Sequence, residues 1–261
     1  MKFRLFIFLT FLFSHSAVAA PVSPYLEDYT WPEVKERMLH GTDTIIIPSG
    51  GTEQNGPHIA IGKHNWIVRY TSGEIARELG NALAAPVLAY VPEGRISPPD
   101  GHMRFPGTIS VHEEAFAVVL EDAARSFKQH GFKYICFIGD HGGNQNAQKL
   151  VAEKLNKEWK TEGVTVLNVS DYYTDQGAVD WVEAKKLGVG KASAHAGFMD
   201  AAEIMALNPG GVRPALIKHY TEKDFDTNGT MGDPSKATAE YGKILLALKV
   251  KAAVEQIRKS R

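Results

Sequence analysis

Two short glycine-rich stretches of this sequence hold most of its donor side chains. Residues 50–65 read GGTEQNGPHIAIGKHN and residues 139–146 read GDHGGNQN, and between them they carry Glu53, His58, His64, Asp140 and His141. Carboxylate oxygens and imidazole nitrogens suit Zn²⁺, Mn²⁺ or Fe²⁺. Such an ion with one open position lowers the pKa of its bound water to about 7, which makes a nucleophile without a nucleophilic side chain. Glu53, His64 and His141 are the expected ligands, with Zn²⁺ the first choice of ion and Mn²⁺ or Fe²⁺ the alternatives. A third stretch, SAHAGFMD (193–200), adds His195 and Asp200. A histidine near its ordinary pKa of about 6.5 suits general acid–base work. Asp200 adds a carboxylate, either as a proton acceptor or as a fourth ligand.

Other polar residues have plainer readings beside the chemical ones. His15, His40, His112, His130 and His219 read as surface residues. Asp140 is either a ligand or a cap on the helix that follows it. His58 follows Pro57 and either orients a ligand or fills the loop. His58, His102 in DGHMRFPG and Tyr173 are the expected substrate contacts. Tyr172, Tyr173 and Trp181 either wall a pocket or pack at a subunit boundary. Cys136 is the only cysteine and sits in the apolar run YICFIG, so it reads as a buried thiol with no disulfide partner.

The elements that must position these groups alternate along the chain. Residues 43–48, 86–91, 134–139 and 164–169 are short and rich in Val, Ile or aromatic residues, as strands buried on both faces are. Helical patterns cover 66–83, where Ile67, Tyr70, Ile75 and Leu79 share a face, 111–131, 146–163 and about 235–259, with Ser235 as a cap for the last. Strand–helix alternation predicts a three-layer α/β domain, and the strand composition suits a parallel sheet. Both glycine-rich stretches follow strands, and ligands bind at the carboxyl ends of strands in such sheets. The proline-rich segment 92–107 is long for a connector, which suits a functional loop.

The chain has 261 residues, 44% hydrophobic and 23% charged, with a net charge of −1. That balance gives no electrostatic case for nucleic acid. Lys2 and Arg4 precede an apolar run (5–13), and Ala17-Val18-Ala19 forms a cleavage pattern. Residues 1–19 therefore read as a secretory signal peptide, the run being shorter than the roughly 20 residues a membrane span needs. The expectation is one domain over 20–261, exported, periplasmic in a Gram-negative source, and with no membrane attachment after cleavage.

EQNGPHIAIGKHN resembles the EQHGPHLPLGTD motif of the creatininase (creatinine amidohydrolase) family. FPGTIS (105–110), GDHGGN (139–144), HAGFMDAAE (195–203) and GDPSKATAEYG (232–242) resemble further motifs of that family in the same order. The resemblance spans about residues 28–258. It implies a metal-dependent amidohydrolase acting on small amides, a homo-oligomer, and a fold narrowed to a three-layer α/β/α sandwich around a mainly parallel sheet. It places metal ligands at Glu53 and His141, a catalytic histidine at His195 and a further acid at Asp200. This chain departs from the family at two positions: the EQH histidine, a ligand of a second metal, is Asn55, and the bridging aspartate is His64. A neutral imidazole offers one lone pair where a carboxylate offers two oxygens. One ion per subunit is therefore expected, held by Glu53, His64 and His141, with Asp200 as a possible fourth ligand. The function expected is exported hydrolysis of a C–N bond in a small amide, cyclic or linear. The alternatives are a periplasmic binding or scaffold protein of the same fold and, more remotely, a mononuclear Fe²⁺ oxygenase.

Overall fold

The computed structural model describes residues 23–174, 177–187 and 195–261. The expected signal peptide lies outside the described residues, as do Ser193 and Ala194 of the SAHAG segment. Four parallel strands form one sheet in the order β2-β1-β3-β4, with β1 at Thr44–Ser49, β2 at Ala82–Ala84, β3 at Tyr134–Gly139 and β4 at Thr165–Asn168. Ser49 pairs with Gly139, so β1 and β3 end side by side. Helix α1 (Trp31–Leu39) precedes β1, α2 (Lys63–Leu79) joins β1 to β2, α3 (Glu113–His130) leads into β3 and α4 (Gln145–Glu158) joins β3 to β4. After β4 come the short α5 (Asp171–Thr174) and α6 (Ala178–Ala184), then α7 (Phe198–Leu207), the short α8 (Phe225–Asn228) and the long α9 (Ala239–Lys259).

Alternate strand residues point to opposite faces, and both faces are covered. Ile45, Ile47, Ile135 and Phe137 pack against Phe116 and Leu120 of α3 and Val151 and Leu155 of α4. Ile46, Cys136 and Ile138 pack against Val68 and Ile75 of α2 and Ala253, Val254 and Ile257 of α9. This is the three-layer α/β/α sandwich that the sequence predicts. Burial pushes the Cys136 thiol up to about 12, so it is an inert core group.

Several boundaries differ from the sequence reading. Helix α2 ends at Leu79, where Gly80 takes the left-handed conformation at φ 80°. That frees Ala82–Ala84 to form the edge strand instead of the expected 86–91. Beyond Ala85, which donates to the Ile46 carbonyl at 2.8 Å, contact with β1 resumes at Leu88, which donates to the Pro48 carbonyl at 2.9 Å. Tyr70, expected on the inner face, is 39% exposed, whereas Val68 and Thr71 are buried. Helix α4 stops at Glu158, and Trp159 turns into the core beneath α3. Helix α9 starts at Ala239 under a Thr238 cap, and the Ser235 N–H goes to Asp233. Helices α7 and α9 touch backbone to backbone: a Cβ on Gly242 would collide with the Ala202 carbonyl.

Candidate metal centre

Polar side chains lock the two glycine-rich turns together. Asn144 donates to the carbonyls of Ser49 (3.0 Å) and Gly50 (2.8 Å), tying the turn after β3 to the end of β1. From α2, Asn65 accepts the Gly51 N–H at 3.1 Å and donates to Thr52 at 3.2 Å. Asn55 turns inward and donates to the Glu53 carbonyl at 2.9 Å, so it builds the loop. The fully buried Glu53 side chain is thereby aimed at the first turn of α2 and at the end of β3.

Around Glu53 the structure gathers four imidazoles and an ammonium. Oε1 lies 2.7 Å from His64 Nε2, 3.4 Å from His195 Nδ1 and 3.5 Å from Lys63 Nζ. Oε2 lies 3.2 Å from both His102 Nε2 and His141 Nε2. Two groups of three have donor atoms within 4.8 Å of one another: Glu53, His64 and His141, and Glu53, His102 and His195. They share the carboxylate and border a cavity of about 560 Å³ whose wall also carries Tyr173 and Asp200. Burial alone would push Glu53 up, but His64 and Lys63 outweigh it and hold the carboxyl well below its ordinary value.

His64 is set by a second carboxylate. Its Nδ1 is 2.7 Å from Asp140 Oδ2, and Asp140 Oδ1 accepts from Lys249 (2.9 Å) and Tyr172 (2.8 Å). Lys249 also donates to Glu203 at 2.9 Å. Asp140 thus orients the His64 ring through its far nitrogen, an arrangement common behind metal-binding histidines. Burial and Lys63 work against a charged His64, but Glu53 and Asp140 outweigh them and raise its pKa. Burial also pushes Glu203 up to about 7 against the pull of Lys249.

Gln54 fixes the two remaining rings. Its Oε1 accepts the Gly56 N–H at 2.9 Å, so its amide nitrogen faces His102 Nδ1 at 2.9 Å. His102 therefore accepts there, and its Nε2 faces Glu53 Oε2 at 3.2 Å. His195 Nε2 lies 2.8 Å from the Gln54 backbone carbonyl and 3.1 Å from the Gln54 amide nitrogen, and its Nδ1 faces Glu53 Oε1 at 3.4 Å. Burial drives both rings down, His102 to about 4 and His195 to about 3, with Lys63 adding to the effect on His195.

Two expected residues lie outside both donor groups. Asp200 Oδ2 accepts from Lys63 at 2.7 Å and from the Ala196 N–H at 2.8 Å, and it belongs to neither donor group. His58 is fully buried off the cavity wall, its ring stacked on Tyr220 and its Nε2 2.9 Å from the Ala196 carbonyl. It steadies the residue after His195. Tyr172 belongs to the Asp140 network, Trp181 packs on Tyr241, and Tyr173 alone of the three aromatics borders the cavity.

The donors fit a divalent ion. Glu53 Oε2 and both oxygens of Glu93 are buried without a hydrogen-bond partner among the described residues. A polar atom buried in that way costs about 1–3 kcal/mol, and more if charged. A cation among them would satisfy all three oxygens.

The model of the creatininase (creatinine amidohydrolase) family matches residues 27–257. The chain belongs to the creatininase family. It is 25% identical over 244 residues to the mycofactocin precursor peptide peptidase of Mycolicibacterium smegmatis, covering 85% of this chain and 88% of that one. It is 23% identical over 257 residues to the creatinine amidohydrolase of Pseudomonas putida, covering 90% and 96%. A crystal structure of creatinine amidohydrolase shares the fold at a TM-score of 0.75 and 21% identity, over 92% of this chain and 98% of that one. Membership makes this protein a creatininase-type, metal-dependent hydrolase of carbon–nitrogen bonds.

In this creatininase-family chain the sequence reading missed Lys63, Glu93, Glu203 and Lys249, and some of them carried signals. A lysine in the first turn of a helix opposes the helix dipole, so Lys63 needed an acidic partner. Lys249 interrupts the buried stripe Leu245, Leu246, Val250 and Ala253 of α9, and Glu203 sits among the apolar residues of α7. Charges at such positions are paired. Glu93, in a proline-rich loop, carried no such signal.

Proposed function

We propose that this protein is an exported hydrolase of a small amide that works with one divalent ion per subunit. The observation that carries the reading is the convergence of Glu53, His64 and His141 on one cavity at the ends of β1 and β3. Export rests on Lys2, Arg4, the apolar run 5–13 and the Ala17-Val18-Ala19 pattern. The ion is Zn²⁺ or Mn²⁺: structures of creatininases include a Zn-Zn type and an Mn form.

A single ion is favoured by charge. Lys63 lies 3.5 Å from Glu53 Oε1, the same oxygen that His195 approaches at 3.4 Å, so the second donor group already has a fixed cation beside it. With Glu53, Glu93, Asp200 and Asp140 ionised, Lys63 and Lys249 protonated and Glu203 holding its proton, one divalent cation leaves the pocket neutral. A second would bury two uncompensated positive charges, which is costly in a low-dielectric interior.

A bound divalent ion would supply a Lewis acid for water and for the amide carbonyl. The side chains supply the rest. Glu53, His64 and His141 would hold the ion, and Asp140 fixes the His64 ring that would face it. Asp200 is engaged with Lys63, so His195, whose Nε2 is taken up by Gln54, is left to take the proton from water through Nδ1. His195 then returns that proton to the leaving nitrogen, because an amine anion is too poor a leaving group. His102 Nε2–H, on the adjacent ring 4.4 Å away between centroids, donates to the substrate oxygen.

The test is a panel of creatinine, other cyclic amides, formamides and short peptides, assayed with Zn²⁺ or Mn²⁺ alongside metal analysis of the purified protein. Turnover abolished by a chelator and one ion per chain are expected. Binding without turnover across the panel would favour a binding protein, and two tightly held ions would refute the single-ion reading.

A further inference from the structure

Glu93 is 2% exposed, and neither of its carboxylate oxygens has a hydrogen-bond partner among the described residues. Its Oε2 lies 3.0 Å from His141 Nε2, the same nitrogen that Glu53 Oε2 approaches at 3.2 Å. Two buried carboxylates therefore converge on one imidazole nitrogen.

The surrounding chain is shaped to hold Glu93 there. Its N–H donates to Ser110 Oγ at 2.9 Å, and the same hydroxyl donates to the Gly94 carbonyl at 2.7 Å, so the backbone is clamped on both sides. A Cβ on Gly51 would collide with Glu93 Oε1, and a Cβ on Gly143 would collide with the carbonyl of Pro92. Missing side chains in both glycine-rich turns thus open the space through which the 92–94 segment reaches the centre. Of two adjacent buried carboxyls one ordinarily keeps its proton, and a cation between them lets both ionise.

We propose that Glu93 is a ligand of the divalent ion, joining Glu53, His64 and His141. The assignment rests on the reading that an ion binds at Glu53 and His141. It makes the proline-rich loop part of the metal site, and it gives the centre two carboxylates and two imidazoles, a set suited to Zn²⁺, Mn²⁺ or Fe²⁺.

The experiment is a competition titration of Zn²⁺ against a chromophoric chelator for the wild-type chain and Glu93→Gln, with melting curves of both in ion-free and loaded forms. Glu93→Gln should bind Zn²⁺ at least about tenfold more weakly, the lower end for loss of a group that supports a metal site. Its ion-free form should melt no lower than the wild type, and its gain in melting temperature on loading should shrink. The visible absorption of the Co²⁺-loaded protein should also change between the two. Equal affinity and an unchanged Co²⁺ spectrum would overturn the assignment while leaving the metal centre intact. A wild-type chain that binds no Zn²⁺ would overturn both readings. Should Glu93→Gln not fold, Glu93→Asp provides the comparison: it keeps the charge but withdraws it by one methylene. A loss of affinity there supports the assignment, and wild-type affinity counts against it.

Discussion

His64 lies between two carboxylates at equal distance: Nε2 is 2.7 Å from Glu53 Oε1 and Nδ1 is 2.7 Å from Asp140 Oδ2. One carboxylate belongs to the centre and the other stands behind the ring, held by Lys249 and Tyr172. The ring can neither rotate nor change which nitrogen faces the ion without breaking a buried charged contact.

Asp140→Asn should therefore weaken metal binding about 10–100-fold, the usual effect of removing a carboxylate behind a ligating histidine. Competition titration measures it. An unchanged affinity would mean that packing alone orients His64.

His195 and His141 should separate cleanly. His195→Ala should keep the ion and lose at least about 100-fold in turnover, within the ordinary range for a lost general acid–base group. His141→Ala should lose the ion itself. Metal content and initial rates on the same preparations decide it, and loss of metal from His195→Ala would make His195 a ligand.

Glu93 gives the ion-free protein a distinctive response to pH. Burial, then the adjacent Glu53 carboxylate, push its carboxyl up to about 10 from an ordinary value of 4.5. A carboxyl raised on folding contributes stability below its unfolded pKa and loses that contribution as pH rises toward the folded value. Ion-free Glu93→Gln should thus match the wild type near pH 4.5 and be the more stable by up to about 3 kcal/mol at pH 7, one unit being about 1.4 kcal/mol. Denaturant titrations at several pH values test this, and a pH-independent difference would contradict it.

Gly242→Ala should destabilise the fold by about 1–3 kcal/mol, the common range for overpacking. The added methyl meets the Ala202 carbonyl, where α7 and α9 have no room to part without pulling Lys249 from Glu203. Thermal melting measures the loss, and the molecules that remain folded should bind metal as the wild type does.

Much of this molecule was legible before its structure. The apolar runs ending at Pro48 and Gly139 are β1 and β3, and their ends do carry Glu53 and His141. Local patterns sufficed because strands buried on both faces are apolar throughout. The second strand was misplaced because PVLAYV (86–91) is more β-like in composition than ALA (82–84), yet it is Ala82–Ala84 that pair with Thr44–Ile46 of β1. The partners of Asp200 and His58 could not be read, since Lys63 and Tyr220 are distant in sequence and meet only when α7 docks beside α2. Glu93 was hidden for a different reason: nothing in its own segment marks it, and the space it enters is made by glycines 42 and 50 residues away.

Lys63 has a consequence for the protein when it is stripped of metal. A chelator can carry off an exchangeable ion, but it cannot carry off a side chain. With the ammonium still seated between Glu53 and Asp200, the emptied pocket keeps a tether across its floor. Reloading should then be governed by diffusion of the ion into a waiting shape, without any rebuilding of the walls.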